Sequence, residues 1–231
     1  MRSIFVTAFA AFALAGAAHA STMKTITFEG LSNGQVVNSI DGVSVSATGG
    51  IGEAVIFDTS LDGTADPDLE APLFPVSIQP TLGNIGSGNV LIIQENATGG
   101  PDDNARGGTF TFDFNGLVEI TDFVGVDFRD NAPGPQNLSF EIFRDTMSVS
   151  SFDFAMANPT VAVGNNRFFS FLDVLTGMDS VGDQLVITVT GSAGIDNISF
   201  NVIPIPAAAP LFLTALAGAG FMRRRRKAAT A

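Results

Sequence analysis

From Ser21 to Asn201 apolar residues recur at every second position in short runs, and a period near 3.6 never persists over ten residues. A strand turns successive side chains to opposite faces, so this pattern specifies half-buried strands rather than amphipathic helices. The run 24–28 puts Ile26 and Phe28 on one face, and 109–114 does the same with Phe110, Phe112 and Phe114. Further alternating runs lie at 43–47, 54–57, 90–94, 118–129, 138–143, 147–154, 167–172, 184–190 and 195–202. About eleven strands separated by Gly, Asn, Asp and Pro turns predict an all-β protein, an antiparallel β-sandwich of jelly-roll-like type. The phenylalanines are then packing between sheets. Two longer irregular stretches, 58–87 and 96–107, interrupt the ladder, and loops of that length are usually functional or disordered.

At 231 residues the chain suits one such domain plus address segments, with no room for a second catalytic domain. Its formal charge is −12, but Arg2 and the run from Arg223 to Lys227 lie at the ends. The interior therefore sets five basic residues against all 23 acids. A surface this acidic repels phosphate backbones, which excludes nucleic acid as a partner. Cys, Trp and Tyr are absent, and the single His is His19. Removal of a leader containing His19 leaves no thiol, no imidazole and no zinc-type ligand set, so only carboxylate chemistry remains.

Residues 1–20 combine a basic start at Arg2, an apolar stretch and the small-residue site Ala18-His19-Ala20. That is the pattern of a secretory signal peptide cut by signal peptidase before Ser21. At the other end, Pro204-Ile205-Pro206-Ala207-Ala208-Ala209-Pro210 leads into an apolar run ending at Met222, followed by Arg223, Arg224, Arg225, Arg226 and Lys227. A helix over 203–222 would reach about 30 Å, the thickness of a bilayer core. The positive cluster would stay cytoplasmic, which predicts a transient transmembrane helix in the inner membrane with the bulk of the chain outside. Position and charge alone also allow an ordinary tail anchor.

The block from Val202 to Leu213, the small-residue helix and the arginine cluster together resemble the C-terminal sorting signal of PEP-CTERM proteins, in its VPLPA-CTERM variant. The resemblance covers 202–227 and departs from the variant at Ile203 and Ile205, which bears on the cut site. It implies recognition by exosortase, a membrane transpeptidase, with Pro204, Pro206 and Arg223 to Arg226 as the sorting motif. It also implies delivery to the cell surface or extracellular matrix. The predicted organisation is a signal peptide at 1–20, an extracellular domain at 21–201 and the sorting signal at 202–227.

The acids concentrate in the irregular stretches. Asp58, Asp62, Asp66, Asp68 and Glu70 share the first, and Glu95, Asp102 and Asp103 the second. Calcium takes six to eight oxygens, and carboxylates beside Gly and Pro turns supply them, so Asp66, Asp68, Glu95, Asp102 and Asp103 are candidate ligands. A solvated, self-repelling loop explains the same acids without metal. Asp66-Pro67-Asp68-Leu69, the run from Val90 to Glu95, and Pro101-Asp102-Asp103-Asn104 before Gly107-Gly108 are similar to a recurrent extracellular domain of PEP-CTERM proteins, which names no ligand. Glu29 on the first strand and Asp196 on the last are similar to the pair holding a structural calcium in several carbohydrate-binding jelly rolls. Two independent surface carboxylates are the competing reading.

Three functions fit this inventory. The first is an exported, non-catalytic envelope or matrix protein, with calcium as a candidate stabiliser. The alternative is a carbohydrate-binding module attached to the exopolysaccharide, against which the absence of Trp and Tyr counts. A two-carboxylate glycoside hydrolase ranks third, because among 23 acids a suitably spaced pair arises by chance.

Overall fold

The computed structural model describes residues 21–83, 88–128, 137–157, 160, 163 and 165–204. Thr22–Ile203 forms one compact unit. It is all-β and almost wholly antiparallel, a sandwich in which one continuous sheet encloses the larger core. Ala18, Ala20, Pro206 and Arg223 to Arg226 lie outside the described residues, as does most of the predicted membrane span at 203–222. Among the described residues no helix is long and apolar enough to cross a membrane.

The element that organises the sheet is β7, Gly108–Val126, a single strand of 19 residues where the sequence reads as two. Its first third pairs with β3 (Val43–Thr48) on one edge and β11 (Val181–Val189) on the other. At Val118 and Glu119 the edge held by β3 passes to β12 (Gly194–Val202), while β11 remains. At 124–126 the other edge passes to β10 (Arg167–Ser170). Between its first and second partners β7 carries an excursion at 114–117, where Gly116 adopts φ 132°. A positive φ of this kind is open to glycine and strained for other residues.

A bulge opposite β12 shifts the register between Ser199 and Phe200. The extra residue reverses the inward parity of β7. Phe110, Phe112, Val118 and Ile120 face the larger core at even positions, and Phe123 faces it from an odd one. Val124 and Val126 are thereby turned to the opposite face, into a second apolar cluster.

Around β7 the remaining strands are β1 (Thr22–Ile26), an edge strand on β12; β2 (Ser39–Ile40), a short hairpin with β3; and β4 (Ala54–Asp58) on β6 (Asn89–Ile93). β5 (Phe74–Pro75) adds to β10 in parallel, and β8 (Leu138–Arg144) bridges β11 to β9 (Met147–Asp153). Inward residues of both layers make the larger core, centred on Phe171, whose ring meets those of Phe123, Phe140 and Phe169 at 4.3, 5.7 and 4.8 Å. This agrees with the expected role of phenylalanine. Two short helices, α1 (Phe154–Ala157) and α2 (Leu172–Thr176), end the predicted strands 147–154 and 167–172 early.

The stretch predicted as an irregular loop at 58–87 has a packing role. Its described part contains a 3-10 turn at Pro67–Leu69 and β5, and it buries Leu69 and Leu73 on the outer face of β4, β6, β7 and β10. Gln79 imitates a strand residue, donating Nε2 to Ser170 O at 2.8 Å and accepting from Ser170 N at 2.9 Å. Both faces of β4 and β6 are thus covered, which explains their continuous burial.

Thr22 pairs with Val202, so the two ends of the domain leave from adjacent strands at one pole. The 114–117 excursion is at that pole, since Ile203 N donates to Leu117 O. The opposite pole holds the ends of β3, β6 and β11 and the starts of β7 and β12. If 58–76 is a structural cover, Leu69→Ala should lower unfolding free energy by about 2–5 kcal/mol in urea titration, as for other buried leucines. A solvated loop would leave stability unchanged.

Candidate functional site

The pole away from the Thr22–Val202 pair gathers acids from segments far apart in sequence. Asp66 precedes the 3-10 turn of the cover, Asp103 forms an isolated bridge with Gln94, Asp127 follows β7, and Ser192 lies in the turn before β12. All three aspartates are buried. Asp103 N donates to Asp66 Oδ2 at 3.2 Å, and Ser192 Oγ lies 2.5 Å from Asp103 Oδ2 and 3.3 Å from Asp127 Oδ2.

Burial pushes the Asp66 carboxyl up to about 9, and the charge of Asp103 adds to the shift. Asp103 is also raised by burial, against the opposing hydrogen bond from Ser192. No lysine or arginine among the described residues makes a salt bridge to either. Two like charges in buried contact disfavour ionisation of both, which is the sense of the raised Asp66 carboxyl. Asp66 and Asp103 join the cover to the 95–107 segment through this contact.

Of the other predicted ligands, Asp68 reaches this pair: half-buried, it accepts from Asn165 Nδ2 at 3.1 Å, shares a side-chain hydrogen bond with Asp66 and acts on Asp103 through its charge. Glu95 and Asp102 lie on the outer side of the second loop, where Glu95 N donates to Asp102 O and Gln94 Nε2 ties down the carbonyls of Asn96 and Gly100 at 2.8 Å each. Among the described residues no group of three or more His, Cys, Asp or Glu is arranged to hold a metal ion. Of the expected calcium ligands in the two loops, Asp66 and Asp103 thus face inward in contact, Asp68 is half-buried beside them, and Glu95 and Asp102 lie outside that contact.

Glu29 and Asp196 are brought near each other. Burial pushes Asp196 up to about 7, opposed by the Asn197 amide, with the charge of Glu29 contributing. Asn89 stands between the segments: its amide N donates to Glu29 Oε1 at 3.0 Å, and its Nδ2 donates to Phe28 O and Leu31 O at 3.1 and 2.9 Å. Phe28 reaches this position with φ 57°, so the backbone turns sharply after β1.

Open clefts lie among the described residues. One of about 480 Å³ is lined by Gly49, Gly50, Glu95, Asn96, Asn104, Arg106 and Gly107. Beside it, and sharing Asn96, a cleft of about 200 Å³ includes Val36, Ile51 and Pro101. The third, about 540 Å³, lies at the other pole and includes Asp113, Asp145 and Asp183. None is lined by Asp66, Asp103 or Asp196. Sequence reasoning missed Ser192 and Arg106. The signals for them were a serine in a Gly-Ser-Ala-Gly turn and one of the few interior cations.

No family model matches the chain, and no curated protein matches it. Among solved structures it is similar to CpGH89CBM32-6 produced by Clostridium perfringens, at 13% identity and a TM-score of 0.30, over 74% of this chain and 100% of that one. It is also similar to a GH31 CBM32-2 structure bound to GalNAc, at 12% identity and a TM-score of 0.29, over 78% of this chain and 99% of that one.

A carboxyl raised on folding stabilises the fold fully below its unfolded value near 3.9, and that contribution is lost as pH rises through the folded value. For Asp196 the loss spans about pH 4 to 7, and for Asp66 it extends to about 9. Urea unfolding free energy should therefore fall between pH 5 and pH 8, with Asp196 contributing on the order of a few kcal/mol. Asp196→Asn should flatten the acidic half of that fall and stabilise the protein at pH 8. A pH-independent variant and wild type alike would refute the assignment.

Proposed function

We propose that this chain is an exported, non-catalytic surface protein. Its jelly-roll-like domain is delivered by an exosortase through the C-terminal signal and holds polysaccharide at the cell surface or in the matrix. The observation that carries the non-catalytic part is the separation of the raised carboxyls from the open clefts. Asp66, Asp103 and Asp196 are buried in packed structure, and half-buried Asp122, also raised, accepts from Ser170 Oγ at 3.0 Å and lines none of these clefts, whereas a general acid or base must reach the group it protonates. Delivery rests on the order of proline motif, apolar run and arginine cluster, and on the leader ending at Ala20.

The register of the domain suits this route. With Thr22 opposite Val202, signal peptidase and exosortase act on segments that leave side by side, and neither cut removes a strand. Native protein recovered from outside the cell should begin at Ser21 and lack Arg223 to Arg226 by mass spectrometry. Deleting 202–227 should stop its retention at the surface; unchanged delivery would defeat the reading.

Calcium enters as a stabiliser through one observation, the buried contact of Asp66 with Asp103. A divalent cation would replace the proton on Asp66, and its binding to the folded state alone would raise stability by mass action. Millimolar calcium should raise the melting temperature over that in chelator, more at pH 8 than at pH 5, and Asp66→Asn should abolish the difference. An equal melting temperature in both at pH 8 would leave the proton as the sole partner of these carboxyls.

A further inference from the structure

The cleft between Glu95 and Arg106 contains opposite charges that do not meet. Arg144 bonds Asp179 and Val181 O, and Arg167 bonds Pro75 O, but the Arg106 guanidinium has no hydrogen bond or ion pair among the described residues. Glu95 faces the same cleft, and no salt bridge joins the two. Their backbones prevent collapse. Arg106 N donates to Asn104 Oδ1 at 3.3 Å, Gly107 N donates to Asn104 O at 2.7 Å, and buried Asn104 bonds Gly107 O. Glu95 N is held by Asp102 O at 2.9 Å.

The wall between them is bare backbone. Gly49 and Gly50 have φ 96° and 50°, and a Cβ on either would strike Gly107 O or Gln94 O. The space of about 480 Å³ falls in the range of small-ligand sites. Across Asn96, the second cleft adds an apolar strip that includes Ile51 and Val36, 42% and 40% exposed.

We propose that this double cleft binds a neutral saccharide. Vicinal hydroxyls require a paired donor and an acceptor in fixed positions, which the Arg106 fork and the Glu95 carboxylate supply, with Asn96 able to do either. The C–H face of a pyranose matches the apolar strip. The acidity of the domain disfavours uronic acids and other anionic glycans. The inference deepens the surface-protein reading and rests on it for the source of the ligand.

The test is a glycan array of neutral hexose and hexosamine oligosaccharides alongside uronic-acid polymers, followed by calorimetry on the strongest binder. Wild type should bind neutral glycans equally in 0.1 and 0.5 M salt. Arg106→Ala and Glu95→Gln should each weaken binding about tenfold or more at unchanged melting temperature. Asp145→Asn, in the cleft at the other pole, should bind as wild type. Neutral binding that survives both substitutions would overturn this site while leaving polysaccharide as the partner. Binding of uronic acids alone, lost in 0.5 M salt, would overturn the neutral ligand. Binding of no glycan would overturn both ligand and site, leaving sorting to be judged by the processed termini.

Discussion

The fold depends on the ability of β7 to serve both layers of the sheet. Hydrogen bonds along Gly108–Val126 are made successively with β3 and β11, with β12 and β11, and with β12 and β10, so the strand is saturated on both edges while its surroundings change. That requires one place where the backbone leaves the ladder, supplied at Gly116, and one where side-chain parity reverses, supplied by the bulge at Thr121 opposite β12. With those two irregularities the strand feeds the large phenylalanine core and also turns Val124 and Val126 outward. A second apolar face then needs a cover, because exposing it would forfeit about 25 cal/mol for each Å².

The cover explains why carboxylates are buried at all. Leu69 and Leu73 can be inserted against β4 and β6 only if the preceding chain crosses the sheet end, which carries Asp66 inward against Asp103. The apolar gain is offset by desolvating two acids, and the raised Asp66 carboxyl reduces that cost by staying protonated at neutral pH. Ser192 contributes by holding Asp103 from the β11–β12 turn.

Strand positions were legible because alternation is a local signal, and Phe110, Phe112 and Phe114 declare their face without reference to anything distant. The continuity of β7 was not legible, since Asn115-Gly116 reads as a turn and the bulge at Thr121 shows only in the register with β12, distant in sequence. The short helices at Phe154–Ala157 and Leu172–Thr176 are too brief to show a period. The packing role of the irregular cover was not legible because Leu69 and Leu73 are isolated among Asp, Pro and Ala. For the site, composition marked Asp66 and Asp103 as members of acidic loops. Their meeting, and the part played by Ser192, depends on tertiary contacts that no spacing encodes.

One segment links the buried acids to the open cleft. Residues 94–107 present Asp103 to the interior and Glu95, Asn96 and Arg106 to solvent, with Gln94 and Asn104 fixing the turns between them. The position of the cleft wall is therefore set by the same contact that docks the cover. Ionisation of both Asp66 and Asp103 would place two like charges in contact behind that wall. The cover and the cleft wall thus share one anchor, the buried contact of Asp103 with Asp66.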